Sequence, residues 1–368
     1  MTLPLRPDLV GIEPYGAPQL DVPVQLNTNE NPYPPPERVI ADVADAAAAA
    51  TAAVNRYPDR DFTALRTDLA AYLAQESGAH ELTAENIWAA NGSNEVMLHV
   101  LQAYGGPGRR AMSFAPTYSM YPEYARDTFT EYIAGTRDED FRLDADAALT
   151  EIARVRPAVV FLASPNNPTG TAMDLETIER IAAGTVDTGP DGAASIVLID
   201  EAYAEFRRED TPSALSIRPR HPHLAVARTM SKAFAFAGAR VGYLAAAPAL
   251  IDALRVVRLP YHLSAITQAA ARTALGHAQV LQASVAALRS ARDQCVAWLR
   301  QEGFTVADSD ANFVLFGTFP DRHAIWRDMV EEGVLIRETG PAGYLRVSIG
   351  TEAEMAAFRG ALKEVTGR

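Results

Sequence analysis

Two side chains in this 368-residue sequence combine reactive groups with predicted positions at the ends of buried strands. Lys232 lies in "RTMSKAFAFAGARVGY", between a strand and a run of small residues with few charges. Desolvation there would lower the pKa of the lysine and free its amine for Schiff-base chemistry. Asp200 closes the apolar run "SIVLID", so its carboxylate needs a cationic partner, such as a protonated pyridine nitrogen, or several donors. A surface lysine and an N-cap aspartate are the alternative interpretations.

A second group of residues could bind an anion. The segment "NGSNE" offers the backbone amides of Ser93 and Asn94 at the start of a predicted helix, where the helix dipole favours negative charge. Ser231 adds a hydroxyl and Arg240 a permanent positive charge. Because the formal net charge is -13, anion binding must depend on a few placed groups and not on the overall field. Taken singly, "NGS" also suits a plain N-cap turn, and Arg240 also suits a surface position.

The elements that must position these residues are strands alternating with helices. Short apolar runs separated by helical patterns favour a mostly parallel sheet covered by helices on both faces. In such sheets, ligands bind beyond the carboxyl ends of the strands. The segments that follow successive apolar runs are "GSNE", "PTYSMY", "SPNNPTG", "DEAY" and "TMSKAF". The sequence therefore predicts one rim where Tyr118, Asn167 and Tyr203 join the residues above.

The length allows two domains. We expect an irregular arm at residues 1–35, because clustered prolines near its end forbid regular structure. A large α/β domain would follow at 36–264 and a linking helix at 265–292, which an amphipathic pattern supports. The remaining residues, 293–368, would form a small α+β domain.

Composition limits the class of protein. Hydrophobic residues make up 48% and charged residues 21%, as in ordinary globular proteins. The net negative charge argues against nucleic-acid or anionic-membrane partners. The single cysteine, Cys295, excludes an internal disulfide framework, and no signal peptide or long apolar run is visible, so we expect a cytoplasmic protein. His221 and His223 lack further ligands at metal-binding spacing, so no metal site is expected.

The joint pattern of these segments is specific. "SPNNPTG", "DEAY", "TMSKAFAFAGARVGY", "RYPD", "PTYSMY" and "YLRVSIG" together resemble the fold type I pyridoxal-phosphate aminotransferases. Within that family, "LNTNENPYP", "AANGSNE", "LPYHLSAITQAA" and "SDANFVLFG" look like the histidinol-phosphate aminotransferases. The resemblance extends from about residue 10 to residue 360. It implies a large domain with a mostly parallel sheet flanked by helices and a smaller α+β C-terminal domain.

The resemblance also implies a role for each matching residue. Lys232 would hold pyridoxal 5′-phosphate (PLP) as a Schiff base and move the proton between Cα and C4′. Asp200 would pair with the pyridinium nitrogen, so that the ring acts as an electron sink. Asn167 and Tyr203 would bond the O3′ oxygen, and Tyr118 would stack on the ring. The PLP phosphate would be bound by Ser93, Asn94, Ser231, Arg240 and, from the partner subunit of a homodimer, Tyr57.

The substrate site follows from the same resemblance. Arg346 in "YLRVSIG" would bind the substrate phosphate or carboxylate, and Arg337 in "VLIRE" would be a second anion contact. Tyr15 and Asn29 belong to the arm that would close over the substrate. The expected reaction converts histidinol phosphate and 2-oxoglutarate to imidazole-acetol phosphate and glutamate by a ping-pong route.

Three other activities share much of this pattern. An aromatic amino-acid aminotransferase has nearly every motif quoted, and a phosphothreonine-type decarboxylase has the same core. A PLP-binding regulator would normally carry a DNA-binding domain, for which the chain has no room. Two departures lie in the cofactor region: Ala235 stands where many relatives have glycine, and Asn94 stands where aspartate is common.

Overall fold

The computed structural model describes residues 3–368, so the first two residues of the predicted arm lie outside it. Its largest element is a seven-stranded sheet in the order β2-β8-β7-β6-β5-β3-β4. β8 is antiparallel to both of its neighbours, and the other neighbouring pairs are parallel. The strands of this sheet are β2 (Ile87–Asn91), β3 (Arg110–Ala115), β4 (Glu131–Thr136), β5 (Val159–Ala163), β6 (Ile196–Asp200), β7 (Leu224–Thr229) and β8 (Val241–Ala245). The predicted mostly parallel sheet is confirmed.

Twelve α-helices accompany the strands among the described residues. They are α1 (Glu37–Thr51), α2 (Thr63–Ser77), α3 (Ser93–Tyr104), α4 (Tyr121–Asp127), α5 (Ala145–Val155), α6 (Leu175–Ala183), α7 (Pro248–Val257), α8 (Ala265–Gly276), α9 (Ala278–Leu281), α10 (Val285–Gln301), α11 (Arg322–Glu331) and α12 (Glu352–Thr366). In residues 3–368, no helix is both long and apolar enough to cross a membrane.

The C-terminal part forms a smaller α+β unit around a four-stranded sheet in the order β12-β13-β10-β9. The remaining strands are β1 (Val24–Gln25), β9 (Thr305–Val306), β10 (Phe313–Gly317), β11 (Val334–Leu335), β12 (Arg337–Glu338) and β13 (Leu345–Ser348). β1, in the arm, pairs in parallel with β11. The arm is therefore not wholly irregular, since two of its residues join the small unit.

The stretch from residue 265, predicted as one linking helix, is divided among α8, α9 and α10. α8 ends at Gly276, a residue type that weakens helices, and packs against α1. The amphipathic pattern thus identified the helical character of this stretch but not its breaks. β4 was also missed, because its short, half-exposed pattern at the sheet edge carries a weak strand signal.

Two hydrophobic cores support the fold. The larger lies between the seven-stranded sheet and its helices, and the smaller lies within the C-terminal unit. Tyr203 and Ala233 belong to the smaller core although they follow strands of the large sheet. Because these residues neighbour Asp200 and Lys232 in sequence, the rim that carries the site lies where the two cores meet.

A buried ion-pair network fixes the ends of β6 and β7. Arg228, only 1% exposed, donates from Nε to Glu201 Oε2 at 2.9 Å and from Nη1 to Glu76 Oε2 at 2.6 Å. Glu201 also accepts a hydrogen bond of 2.7 Å from Ser213 Oγ. Glu201 directly follows Asp200, so this network holds the strand end that presents the Asp200 carboxylate.

We predict that Arg228→Met lowers the free energy of unfolding by about 3–5 kcal/mol, because Glu201 and Glu76 lose their buried cation. Equilibrium denaturation of the full chain measures this loss. Arg272→Met is the matched control: Arg272 is an exposed arginine paired with Asp68 at 2.6 Å, and its loss should cost less than about 1 kcal/mol. Equal losses for the two variants would contradict the prediction.

Candidate active site

A cavity of about 430 Å³ opens at the carboxyl ends of the large-sheet strands. It is lined by every sequence-predicted site residue except Tyr57, namely Tyr15, Asn29, Ser93, Asn94, Tyr118, Asn167, Asp200, Tyr203, Ser231, Lys232, Arg240, Arg337 and Arg346. Tyr57 lies outside the cavity. It is 81% exposed, and its ring stacks on Tyr261 with centroids 4.5 Å apart.

Lys232 is the amine of this cavity. Its Nζ donates a hydrogen bond of 2.9 Å to the carbonyl oxygen of Thr28, in the arm. Burial lowers the pKa of Lys232 to about 8, with smaller contributions from the cations Arg346 and Arg240 and an opposing one from Glu30. The lysine is therefore closer to its neutral, nucleophilic form at neutral pH than an exposed lysine.

Asp200 is the carboxylate of the cavity and is 6% exposed. Burial raises its pKa to about 6. Two donors act against this shift: the Tyr121 hydroxyl donates to Oδ2 at 2.9 Å, and the Ala202 N–H donates to Oδ1 at 3.2 Å. Sequence reasoning missed Tyr121, although its motif "PTYSMY" had been singled out for Tyr118, three residues earlier.

Asn167 connects Tyr203 with Arg346. Its Nδ2 donates to the Tyr203 hydroxyl at 3.4 Å, and its Oδ1 accepts a hydrogen bond of 2.5 Å from Arg346 Nη1. The preceding Asn166 is fully buried and fixes the turn, with Nδ2 donating to the Pro116 carbonyl at 2.9 Å. The two asparagines of "SPNNPTG" thus differ in position, one facing the cavity and the other holding the bend.

An anion-binding cradle lies at the start of α3. Within the part of the chain that the structure describes, no side chain caps the first amides of this helix, and the preceding Gly92 has a φ of 82°, which favours glycine. A Cβ at Gly92 would overlap the Arg240 guanidinium, and one at Gly242 would overlap the Ser93 amide nitrogen. Arg240 Nη1 also donates to Ser231 Oγ at 3.3 Å. Backbone amides, a hydroxyl and a guanidinium therefore converge, as phosphate binding requires.

Arg346 is 6% exposed and lies against the Phe313 ring, with 5.1 Å between its Cζ and the ring centroid. Its Nη2 donates to the Asn27 carbonyl at 2.8 Å, while its Nε is buried without a hydrogen-bond partner among the described residues. Burial lowers the pKa of Arg346 to about 10. Arg337 lies near the arm and donates to the Gly16 carbonyl at 3.3 Å. Two guanidinium groups thus face the cavity from the small unit.

The arm contributes both of its predicted residues to the cavity. Tyr15 accepts a hydrogen bond of 3.0 Å from Ser119 Oγ. Asn29 is 2% exposed, has a left-handed φ of 56°, and donates from Nδ2 to the Tyr203 hydroxyl at 3.0 Å. The carbonyl of Thr28 also accepts from Lys232, a contact that residue types in the sequence do not signal because every residue has a carbonyl.

The two departures from the family pattern lie in different surroundings. Ala235 has a left-handed φ of 54°, a conformation that glycine adopts with less strain. Asn94 accepts a hydrogen bond of 3.4 Å from the Tyr118 hydroxyl through Oδ1, at the edge of the anion cradle. Asn94 lines the cavity and is neutral where an aspartate would be negative, whereas Ala235 is not among the residues that line the cavity.

We predict that the rate at which a small amine-reactive reagent modifies Lys232 in the cofactor-free protein rises with pH, with a midpoint near pH 8. The reactive neutral amine increases as pH rises through this lowered pKa. The chain has only one other lysine, Lys363, which is an internal reference in the same mass spectrum. Arg346→Met should raise the midpoint because it removes a neighbouring cation. A wild-type midpoint near 10.5, the ordinary value, would contradict the prediction.

Comparisons with known proteins agree with this geometry. The family model "Aminotransferase class I and II" matches residues 22–362. The histidinol-phosphate aminotransferase of Thermobifida fusca is 58% identical over 366 residues, which cover 100% of this chain and 96% of that protein. Histidinol-phosphate aminotransferase 3 of Burkholderia lata is 57% identical over 363 residues, covering 99% and 96%.

Solved structures share the fold. Histidinol-phosphate aminotransferase from Sinorhizobium meliloti, in complex with pyridoxal-5'-phosphate, has a TM-score of 0.84 at 23% identity and covers 99% of this chain and 98% of that one. A double mutant of aspartate aminotransferase from Thermus thermophilus has a TM-score of 0.81 at 25% identity, with 100% of both chains covered. From the family match and the full-length similarity to its curated relatives, the chain belongs to the class I and II aminotransferase family.

Proposed function

We propose that the protein is a PLP-dependent aminotransferase that converts L-histidinol phosphate and 2-oxoglutarate to imidazole-acetol phosphate and L-glutamate. The observation that carries the reaction type is the single cavity that contains Lys232, Asp200 and the anion cradle at α3. The choice of substrate is supported by the names of the relatives with 58% and 57% identity over nearly the whole chain.

The residues of the cavity fit PLP. A Cβ at Gly242 would overlap the Gly92 and Ser93 backbone, so glycine there lets the start of α3 lie against β8, where its first amides can bind a phosphate beside Arg240. We assign Ser93, Asn94, Ser231 and Arg240 to the phosphate, Asp200 to the ring nitrogen and Lys232 to the covalent link. Asn167 and Tyr203 would bind the ring oxygen, and Tyr118 would cover the ring face. When bound, PLP supplies an electron sink for the substrate carbon.

In this proposal, Lys232 holds and moves the proton. A pKa of about 8 lets its Nζ both accept and release a proton near neutral pH. The Thr28 carbonyl, 2.9 Å away, accepts a hydrogen bond from the protonated amine and orients it. Asp200 is largely ionised above pH 6, so its negative charge is present at the pH where Lys232 acts. The two groups therefore have suitable protonation states in the same pH range.

Arg346 and Arg337 line one cavity and can bind the anionic groups of both substrates there. A guanidinium binds phosphate and carboxylate with similar two-point geometry. Both arginines line the cavity, and the Nη1 and Nη2 groups of Arg346 contact only neutral oxygens, so its positive charge is left for a substrate anion. Histidinol phosphate and 2-oxoglutarate can therefore use the same arginines in the two halves of a ping-pong reaction.

We also propose that the enzyme is a homodimer in which Tyr57 reaches the PLP phosphate of the partner subunit. Tyr57 is 81% exposed and lies outside the cavity of its own chain. Other large apolar side chains in neighbouring segments are exposed as well: Leu259 by 77% and Val54 by 60%. Exposed apolar side chains of this kind suit a subunit interface. Location in the cytoplasm stays a prediction from the sequence.

Mixed dimers test the position of Tyr57. Lys232→Ala chains and Tyr57→Ala chains should each give poor PLP binding alone. In a hybrid of the two, one cavity has both Lys232 and the partner's Tyr57 intact, so tight PLP binding should return at about half the sites. Absorbance titration with PLP measures this recovery. If the mixture binds no more PLP than the separate variants, Tyr57 does not act across an interface.

Single-turnover absorbance tests the substrate. Histidinol phosphate should abolish the visible band of the lysine-bound cofactor within one turnover, whereas phenylalanine in a separate cell should act much more slowly. Lys232→Ala should reduce turnover by about 10²–10⁴-fold or more, because it removes the proton-transfer group.

The outcomes of this experiment separate the candidates. A fast reaction with phenylalanine only would identify an aromatic amino-acid aminotransferase. Release of CO₂ from phosphothreonine without amino transfer would identify the decarboxylase. A PLP-loaded protein that reacts with none of these compounds would contradict the proposed function.

A further inference from the structure

Tyr121, the first residue of α4, is a completely buried aromatic residue whose hydroxyl contacts the cavity carboxylate. Its ring is stacked on Phe161, with centroids 4.7 Å apart and an interplanar angle of 10°. The Tyr118 ring meets it edge-on, at 5.6 Å and 89°. Packing on two sides therefore fixes the ring and leaves its hydroxyl in one position.

Among residues 3–368, that hydroxyl is one of two hydrogen-bond donors to the Asp200 carboxylate. The Tyr121 O–H donates to Oδ2 at 2.9 Å, and the Ala202 N–H donates to Oδ1 at 3.2 Å. The other titratable groups near Asp200 donate no hydrogen bond to its carboxylate among the described residues. They are Glu201, which follows it in sequence, the hydroxyls of Tyr118, Tyr124 and Tyr203, and Lys232 in the same cavity.

Hydrogen bonds to an ionised carboxylate favour the ionised form, and burial opposes it. Burial raises the pKa of Asp200 to about 6, and the Tyr121 hydroxyl is the larger of the two hydrogen-bond contributions that limit this rise. Tyr121 remains a donor throughout the working pH range, since burial and the nearby Asp200 raise its own pKa well above the ordinary value. Without this donor, Asp200 would be protonated at a higher pH.

We propose that Tyr121 is a positioning residue that keeps the Asp200 carboxylate ionised and oriented toward the PLP nitrogen. The inference rests on the proposed use of PLP. It assigns Tyr121 no contact with the substrate or with PLP, because its hydroxyl is already engaged by Asp200.

Tyr121→Phe tests this role, because it removes the hydroxyl and keeps the ring that stacks on Phe161. Tyr124→Phe is the matched control. Tyr124 lies on the same helix and is 4% exposed, and its buried hydroxyl has no hydrogen-bond partner among the described residues. The measurement is the dissociation constant of PLP from wild-type and variant enzymes between pH 5 and pH 9, with thermal unfolding recorded alongside.

In the wild-type enzyme, PLP affinity should fall as pH drops through about 6, where Asp200 becomes protonated. In Tyr121→Phe, the fall should begin about one pH unit higher, since a hydrogen bond to a charged group shifts a pKa by about that amount. The affinities of the two proteins should converge near pH 9, where Asp200 is ionised in both. Protonation of the PLP phosphate and of Lys232, whose pKa is about 8, also lowers the affinity within this range, but it affects all variants equally and cancels in the comparison.

A double-mutant cycle separates positioning from general stability. In an Asp200→Asn background, Tyr121→Phe should no longer change the pH dependence of PLP affinity. The proposal is overturned if Tyr121→Phe behaves as Tyr124→Phe does, or if its effect persists without the Asp200 carboxylate. A wild-type protein that binds no PLP would instead overturn the proposed function, so the two failures are distinguishable.

Discussion

Desolvation acts on the charges of the cavity in opposite directions, lowering the pKa of Lys232 and Arg346 and raising that of Asp200. Each charge is held mainly by neutral dipoles: a carbonyl for the lysine, carbonyl and amide oxygens for the arginine, and a hydroxyl and an amide N–H for the aspartate. None of the three forms an ion pair with another protein side chain among the described residues. Their charges therefore remain available to a ligand, and the surrounding structure must hold the neutral partners in place.

The arm supplies part of that support. The carbonyls of Asn27 and Thr28 accept hydrogen bonds from Arg346 and Lys232, and Asn29 is tied to Tyr203. The arm itself is held by pairing of β1 with β11 in the small unit. One segment thus links the amine at the large sheet to the guanidinium at the small one, so the relative position of the two units affects both groups.

The sequence predicted the large sheet and most of the cavity because apolar runs identify buried strands, and the residues that follow parallel strands must meet at one rim. It did not reveal β1, since a two-residue strand is stabilised by its partner and not by its own composition. Nor did it reveal the Thr28 carbonyl, which is common to all residue types. Tyr121 was missed for another reason: the spacing of "PTYSMY" places two tyrosines close together, but only the fold shows which of them reaches Asp200.

The position of β8 has a consequence for folding. The anion cradle requires the start of α3 to lie against Gly242 in β8. The strand before α3, β2, pairs with β8, and Ile87 is the partner of Ala245. These partners are distant in sequence, so loop-closure entropy opposes their pairing until the strands between them have assembled. During synthesis, the cradle cannot form before β8 has left the ribosome. The anion cradle therefore forms only once β8 has paired with β2, two strands that lie far apart in the sequence.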